Sequence, residues 1–331
     1  MKRPIVAISM GDPAGIGPEL VVKTLAQPEL WDICHPLIIG APDLLADTAA
    51  TLALAMPVVE VGDLRTHLST PLSLPVFSPP DLTLPPVRSG QVDPAMGEAA
   101  ASCLRAALSA GQAGAVDAVV SAPMNKEAFH AAGYHYFDEL AYLAEISDAS
   151  EPFLMGAMAS LWTIMVTEHI PFKEIVPLIR SDRILSRTSK LDAVLRAVGV
   201  ETPRIAVAAL NPHGGEGGLF GREEIEEIGP AVAAARRQGI GAVGPVPADT
   251  IFVRALDGEF DGVVCMYHDQ ANIARKLHPQ RRGATLFMGL AVPWATTAHG
   301  TAFDIAGQGI ADAGSLIDAL HIVSRLTGAS R

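Results

Sequence analysis

The sequence predicts an α/β fold with a parallel sheet covered by helices. Apolar runs of strand length recur between stretches with helical spacing, and the first run passes through a glycine-rich turn directly into a helix start.

Taken in order, residues 4–10 form the first apolar run, too short and badly flanked for a signal peptide. It ends in Gly11-Asp12-Pro13-Ala14-Gly15-Ile16-Gly17-Pro18-Glu19, where Pro18 and Glu19 suit the first turn of a helix. Residues 36–40 repeat the strand pattern. The proline-rich stretch 69–94 reads as a connecting excursion, because apolar residues are interspersed among its prolines. Residues 98–108, 184–197 and 223–237 space their apolar side chains as amphipathic helices. Residues 115–122, 161–167, 203–210, 241–246 and 262–266 supply further strands. Cuts near Lys126 and Leu290 divide the chain into a domain built from both ends, 1–125 with 290–331, and a middle domain, 126–289.

Composition excludes several functions. Hydrophobic residues make up 49% of the 331, enough for a large core, and global disorder is ruled out. Lys and Arg number 24 against 36 Asp and Glu, a net charge of −12 with no basic run, so nucleic-acid binding is not expected. A small anionic substrate stays open, since local cations or a metal reverse the sign inside a cleft. No apolar run approaches the roughly 18 residues of a membrane span. The three cysteines are scattered and lack CxxC spacing, which fits a reducing, cytoplasmic setting.

Three of the ten histidines share a setting. His169, His213 and His268 each lie just past the C-terminal end of an expected strand, the edge where open parallel sheets bind ligands. Neutral imidazole is a common ligand for divalent transition metals, so the three are candidate metal ligands; the alternative is three unrelated loop histidines. Asn211-Pro212-His213-Gly214-Gly215-Glu216-Gly217-Gly218 surrounds one candidate with turn formers and glycines. Asp269 stands beside His268, suited to orient the imidazole. Lys276, two helical turns later, is a candidate proton-transfer group or else a solvated lysine. Asp249 either lines the site or caps a helix. In the stretch 299–309, Gly300 and Gly307 permit close backbone approach and Asp304 can accept ribose hydroxyls. The N-terminal turn fails GxGxxG at its third glycine, and no Gly-Lys-Ser/Thr is present, so it is neither a Rossmann nor a P-loop fingerprint.

Together, the Gly11 to Glu19 turn, the Asn211-Pro212-His213 loop, Pro247-Ala248-Asp249-Thr250, Met266-Tyr267-His268-Asp269-Gln270 and His299-Gly300-Thr301-Ala302 resemble the 4-hydroxythreonine-4-phosphate dehydrogenase family. These segments occur in the family's order across nearly the whole chain. The resemblance implies two α/β/α domains of the isocitrate and isopropylmalate dehydrogenase type, with the active site in the cleft and at a homodimer interface. It implies NAD(P)-dependent oxidation of a hydroxy acid to a β-keto acid that decarboxylates. It casts His169, His213 and His268 as metal ligands contributed by two subunits. The metal is zinc in the first instance, with magnesium, manganese, cobalt or iron as alternatives. Lys276, with Asp249 and Asp269, would serve catalysis, and Gly300, Thr301, Asp304 and Gly307 the adenosine side of the cofactor.

The departures from the family pattern concern the substrate. Glu139 and Leu140 stand where the family has His and Thr, Thr285 replaces an asparagine, and Trp294 replaces an arginine. Losing these donors and gaining a carboxylate points away from a phosphate ester, although Arg281 and Arg282 are nearby cations. Trp294 and Leu140 would instead offer apolar surface to a ring, as in the terephthalate cis-dihydrodiol dehydrogenases of the same family. The leading expectation is therefore a dehydrogenase of a nonphosphorylated cyclic diol carboxylate. The alternatives are a 4-hydroxythreonine-4-phosphate or 4-phospho-sugar acid dehydrogenase, an NAD-independent metal hydrolase or lyase, and a catalytically silent binding protein.

Overall fold

The computed structural model describes residues 3–64, 70–147, 149, 151–158, 161–278 and 282–328. Its strands are β1 (Ile5–Ser9), β2 (His35–Ile39), β3 (Val58–Glu60), β4 (Leu74–Phe77), β5 (Ala118–Ser121), β6 (Phe153–Met158), β7 (Leu161–Met165), β8 (Arg204–Ala208), β9 (Gly241–Val246), β10 (Gly262–Cys265), β11 (Ala284–Met288) and β12 (Trp294–Thr297). The helices are α1 (Gly17–Leu25), α2 (Leu30–Ile33), α3 (Pro42–Thr51), α4 (Pro94–Gln112), α5 (Lys126–Ala131), α6 (Glu139–Ser147), α7 (Ser181–Ala197), α8 (Gly229–Arg237), α9 (Ala248–Leu256), α10 (His268–Leu277) and α11 (Gly314–Gly328).

The chain divides into two α/β units, Met1–Phe153 with Gly283–Arg331, and Leu154–Arg282. The first unit does join both ends of the chain. Its first boundary falls at Phe153 instead of 125, because α5 packs on α4 and α6 does so too.

In the first unit the sheet runs β3-β4-β2-β1-β5-β12-β11, parallel except for the β11–β12 pair. From β1 the chain goes to β2 on one side, while β5 pairs on the other, so the loops after β1 and β5 part at a switch point. There the Asp12 N–H donates to the Pro123 carbonyl at 2.9 Å, and Gly11 holds φ +73° with its Cα facing that same backbone. A Cβ on Gly11 would stand 2.5 Å from Pro123 O, so only glycine permits the contact. The proline-rich excursion contains β4, whose Pro75 pairs in register with Val59 of the short edge strand β3.

The second unit orders its strands β6-β7-β10-β8-β9, antiparallel at β6–β7 and parallel thereafter. β7 and β10 are buried along their whole lengths, as expected of strands covered on both faces. The helix expected at 223–237 is divided. A wide turn, Glu224–Ile228, precedes α8, where Pro230 lacks the N–H that a continuous helix would need.

Candidate active site

In the second unit, β7, β10 and β8 are neighbours and parallel, so their three following loops emerge at one edge. Those loops carry His169, His268 and His213. His169 and His268 come together, with ring centroids 5.4 Å apart. His268 Nδ1 meets Asp269 Oδ1 at 2.9 Å, which fixes the ring and leaves Nε2 for a ligand. The two imidazoles fit a divalent metal in donor chemistry and spacing. Among the described residues, however, no group of three or more His, Cys, Asp or Glu converges to hold one. His213 is exposed and its ring faces Phe220 at 6.4 Å. Asp249 is exposed at the second position of α9 and does not cap it, the helix beginning at Pro247 without a side-chain cap. Lys276 is exposed near the end of α10. Its neighbour Arg275 is buried, its guanidinium lying against Gly156 of β6, where a Cβ would come within 2.4 Å.

The His213 loop is wound the unusual way. His213, Gly214, Gly215, Glu216 and Gly217 all take left-handed backbone conformations, His213 at φ 54° and Glu216 at φ 44°. Non-glycine residues adopt this region at a cost that the surroundings must offset. A buried carboxylate closes the base of the loop. Glu224 Oε1 accepts the N–H groups of Leu210 at 2.8 Å and Asn211 at 2.7 Å, and Oε2 accepts the Asn211 side-chain amide at 2.9 Å. Burial pushes the Glu224 carboxyl up, but these hydrogen bonds outweigh it and hold it below the usual carboxylate value.

In the first unit, three of the four residues expected to face substrate, Glu139, Leu140 and Trp294, are buried. Trp294 is fully buried in β12, its indole N–H donating to Ser121 Oγ at 3.0 Å. Ser121 in turn donates to Glu139 Oε1 at 2.5 Å. This corrects the expectation of a flat apolar face at Trp294, because the ring packs inside the sheet. Leu140 is likewise buried, and Thr285 is half-buried in β11, opposite Thr296 of β12. Burial lifts the Glu139 carboxyl to about 7, with Ser121 opposing the rise. A carboxyl so placed is largely protonated at mildly acidic pH, where the repulsion expected of it is reduced. Arg281 lies outside the described residues, and Arg282 is exposed. Ser121 was not legible as a partner, since nothing in its own segment signals a buried acid from elsewhere in the chain.

The stretch 299–309 docks on the N-terminal turn. The Ile16 N–H donates to Thr301 O at 3.0 Å, and a Cβ on Gly15 would meet Thr301 Cβ at 2.9 Å, so glycine lets the two loops touch. Gly307 and Gly309 line a cleft of about 240 Å³ together with Glu19, Asp47, Thr48 and Ser89. Gly300 and Asp304 are exposed on the same stretch. Glu19 and Lys23, one turn apart on α1, clamp the far end of that stretch. Lys23 Nζ donates to the carbonyls of Gly309 and Ala311 at 2.9 and 2.8 Å, and Glu19 accepts the Ala311 N–H at 2.7 Å. Leu44, Leu52 and Val87 give the same cleft apolar walls beside the carboxylates of Glu19 and Asp47, a lining that suits the ring and hydroxyls of a nucleoside. The i, i+4 spacing of Glu19 and Lys23 was the one signal in the sequence for this clamp.

Asp12, just after β1, is fully buried with Oδ2 unpartnered, and burial lifts its carboxyl to about 6. Among the described residues no helix is long and apolar enough to cross a membrane.

Comparison with known proteins places this geometry. The family model of the pyridoxal phosphate biosynthetic protein PdxA matches residues 32–323. A 4-hydroxythreonine-4-phosphate dehydrogenase of Desulfosudis oleivorans is 40% identical, over 97% of this chain and 95% of its own. The crystal structure of 4-hydroxythreonine-4-phosphate dehydrogenase from Klebsiella pneumoniae superposes with a TM-score of 0.84 at 36% identity, covering 98% of each chain. A terephthalate 1,2-cis-dihydrodiol dehydrogenase from Burkholderia xenovorans LB400 gives 0.67 at 30% identity, covering 99% of each. The chain therefore belongs to the PdxA family, and it is an oxidoreductase acting on a CH–OH group.

Proposed function

We propose that the protein oxidises the hydroxyl of a 4-phosphorylated hydroxy acid, of the 4-hydroxythreonine 4-phosphate type, using NAD or NADP and a divalent metal. The pairing of His169 and His268 at the edge of β7 and β10, in a chain of this family, carries the reading. The phosphorylated acid replaces the cyclic diol carboxylate as the leading substrate class. Similarity is greater to enzymes named for the former, and Trp294 and Leu140, on which the ring depended, are buried.

His169, His268 and His213 would hold the metal, while Gly300, Thr301, Asp304 and Gly307 would hold the dinucleotide. When bound, these groups supply Lewis acidity at the substrate oxygens and a hydride acceptor. Asp269 orients His268, and Asp249 offers a carboxylate from the first turn of α9. Lys276 Nζ moves the proton: it takes one from the hydroxyl during oxidation and returns one to carbon when the β-keto acid loses CO₂. Glu139 and Leu140, at the start of α6, and Trp294 of β12 are buried, so this reading gives them packing around Ser121 and leaves half-buried Thr285 of β11 as the substrate-side residue of the set.

In this reading the third ligand comes from a second copy of the chain. α9 exposes Val253 and Leu256, and α10 exposes Ile273 and Leu277, apolar side chains of the kind a homodimer contact would cover. A cytoplasmic setting agrees with three buried free thiols, of which burial pushes Cys34 and Cys103 up to about 12.

The test is NAD(P)H absorbance with added Zn²⁺, Mg²⁺, Mn²⁺, Co²⁺ or Fe²⁺, across phosphorylated hydroxy acids and cis-dihydrodiol carboxylates. The expected result is metal-dependent turnover of a phosphorylated acid. A higher kcat/KM for a dihydrodiol carboxylate would overturn the substrate assignment.

A further inference from the structure

We propose that Glu224 is a positioning residue for His213: its carboxylate closes the base of the left-handed loop and thereby sets where the imidazole projects. The inference rests on the reading of His213 as a metal ligand.

The loop begins at the end of β8 and returns to the chain just before the wide turn at Glu224–Ile228. Five successive residues sit in left-handed conformations, two of them not glycine, and the segment 212–218 buries only Gly215. Each such non-glycine residue is held in a strained conformation that other contacts must offset. At the ends of the loop, the Gly214 N–H reaches Asn211 O at 3.1 Å, the Leu219 N–H reaches Glu216 O at 3.4 Å, and the Phe220 N–H reaches Gly215 O at 3.2 Å.

Glu224 supplies the restraint from outside. Only 4% exposed, it gathers both N–H groups at the loop's entry and the Asn211 amide, which also donates to Glu223 Oε2 at 2.6 Å. Residue 211 is thus held at its backbone and its side chain, two residues before His213. The same carboxylate shapes the loop's interior. A Cβ on Gly215 would stand 2.7 Å from Glu224 Oε2, so the loop wraps the carboxylate at a distance that glycine alone allows. The wide turn that carries Glu224 presents it there; extra-wide helical turns recur at functional sites because they re-aim side chains in this way.

A glutamate with three N–H donors could serve stability alone, so the experiment separates positioning from folding. Full-length wild type, Glu224→Gln, Glu224→Ala and His213→Asn are compared by amide hydrogen exchange across 210–220, and by Co²⁺ affinity in competition with a chromogenic chelator. Asn at 213 tolerates the left-handed backbone and so removes the imidazole without disturbing the loop. Glu224→Ala is expected to speed exchange at Leu210 and Asn211 and to weaken Co²⁺ about tenfold, approaching His213→Asn. Glu224→Gln keeps one accepting oxygen and should lie between, with circular dichroism unchanged. Wild-type Co²⁺ affinity in a Glu224→Ala protein whose loop exchanges freely would overturn the inference, as would unchanged loop exchange. If wild type itself binds no Co²⁺, the metal reading falls, and with it the assignment of a positioning role to Glu224. Should Glu224→Ala not fold, Glu224→Gln decides on the same two measurements.

Discussion

Glu139 is poised to titrate near neutrality, and the direction of its effect follows from burial. Below about 4.5 the group is protonated in folded and unfolded chains alike. Between there and about 7 the folded protein keeps a proton that the unfolded chain releases, so stability falls as pH rises and the loss is complete above about 7. At 1.36 kcal/mol per pKa unit, the rise from 4.5 amounts to about 3 kcal/mol. Asp12 acts with the same sign between 3.8 and about 6. Urea unfolding of Glu139→Gln from pH 5 to 8 should therefore show a shallower decline than wild type, and equal slopes would contradict the buried-acid account. The histidines respond differently. Metal content by mass spectrometry should drop roughly tenfold or more in His268→Ala and in His213→Asn, with secondary structure retained, because each loses a ligand and not a core contact.

Elements with strong local signals were legible from composition. β1, β2, β5, β7, β8 and β10 stand where continuous apolar runs stand, since a parallel strand buried on both faces needs apolar side chains at nearly every position; β9 also stands at its expected run, although it is a half-exposed edge strand. β12 was not legible: its Trp-Ala-Thr-Thr is short, and only its place between β5 and antiparallel β11 makes it a strand. β3 is three residues at an exposed edge, and α5 is too short for helical periodicity to register. Of the site, the three strand-end histidines could be read because the rule that ligands gather at C-terminal strand ends is local to each βα unit. Trp294 was misread for the opposite reason, since whether a tryptophan faces a ligand or the core is decided by strands far away in sequence. At this scale the α1 clamp makes its own prediction. Lys23→Met should raise KM for the dinucleotide about tenfold while kcat changes little, because it frees one end of the 299–309 stretch without touching the reacting atoms. A drop confined to kcat would remove that stretch from cofactor binding.

For the whole molecule, subunit mixing tests where the third ligand comes from. His169 and His268 sit side by side in one chain, so His213 is the ligand to be exchanged. A heterodimer of His213→Asn with His268→Ala chains contains one intact site if His213 crosses to the partner, and activity should recover toward half of wild type. Silence in verified heterodimers would mean that each chain builds its site alone.

The two-part makeup of the first unit also sets a timetable for synthesis. Leu154–Arg282 is one continuous stretch, so every strand of its parallel run is available as soon as Cys265 has emerged. The first unit must wait. β12 hydrogen-bonds directly to β5, and α11 packs over β5, β11 and β12, yet the ribosome delivers them only after the second unit. Until then β5 presents an unpaired parallel edge, the kind of edge that invites association with other chains. The segment made earliest is thus the one completed latest, and the nascent chain passes through its most aggregation-prone stage after the histidine-bearing unit is already whole.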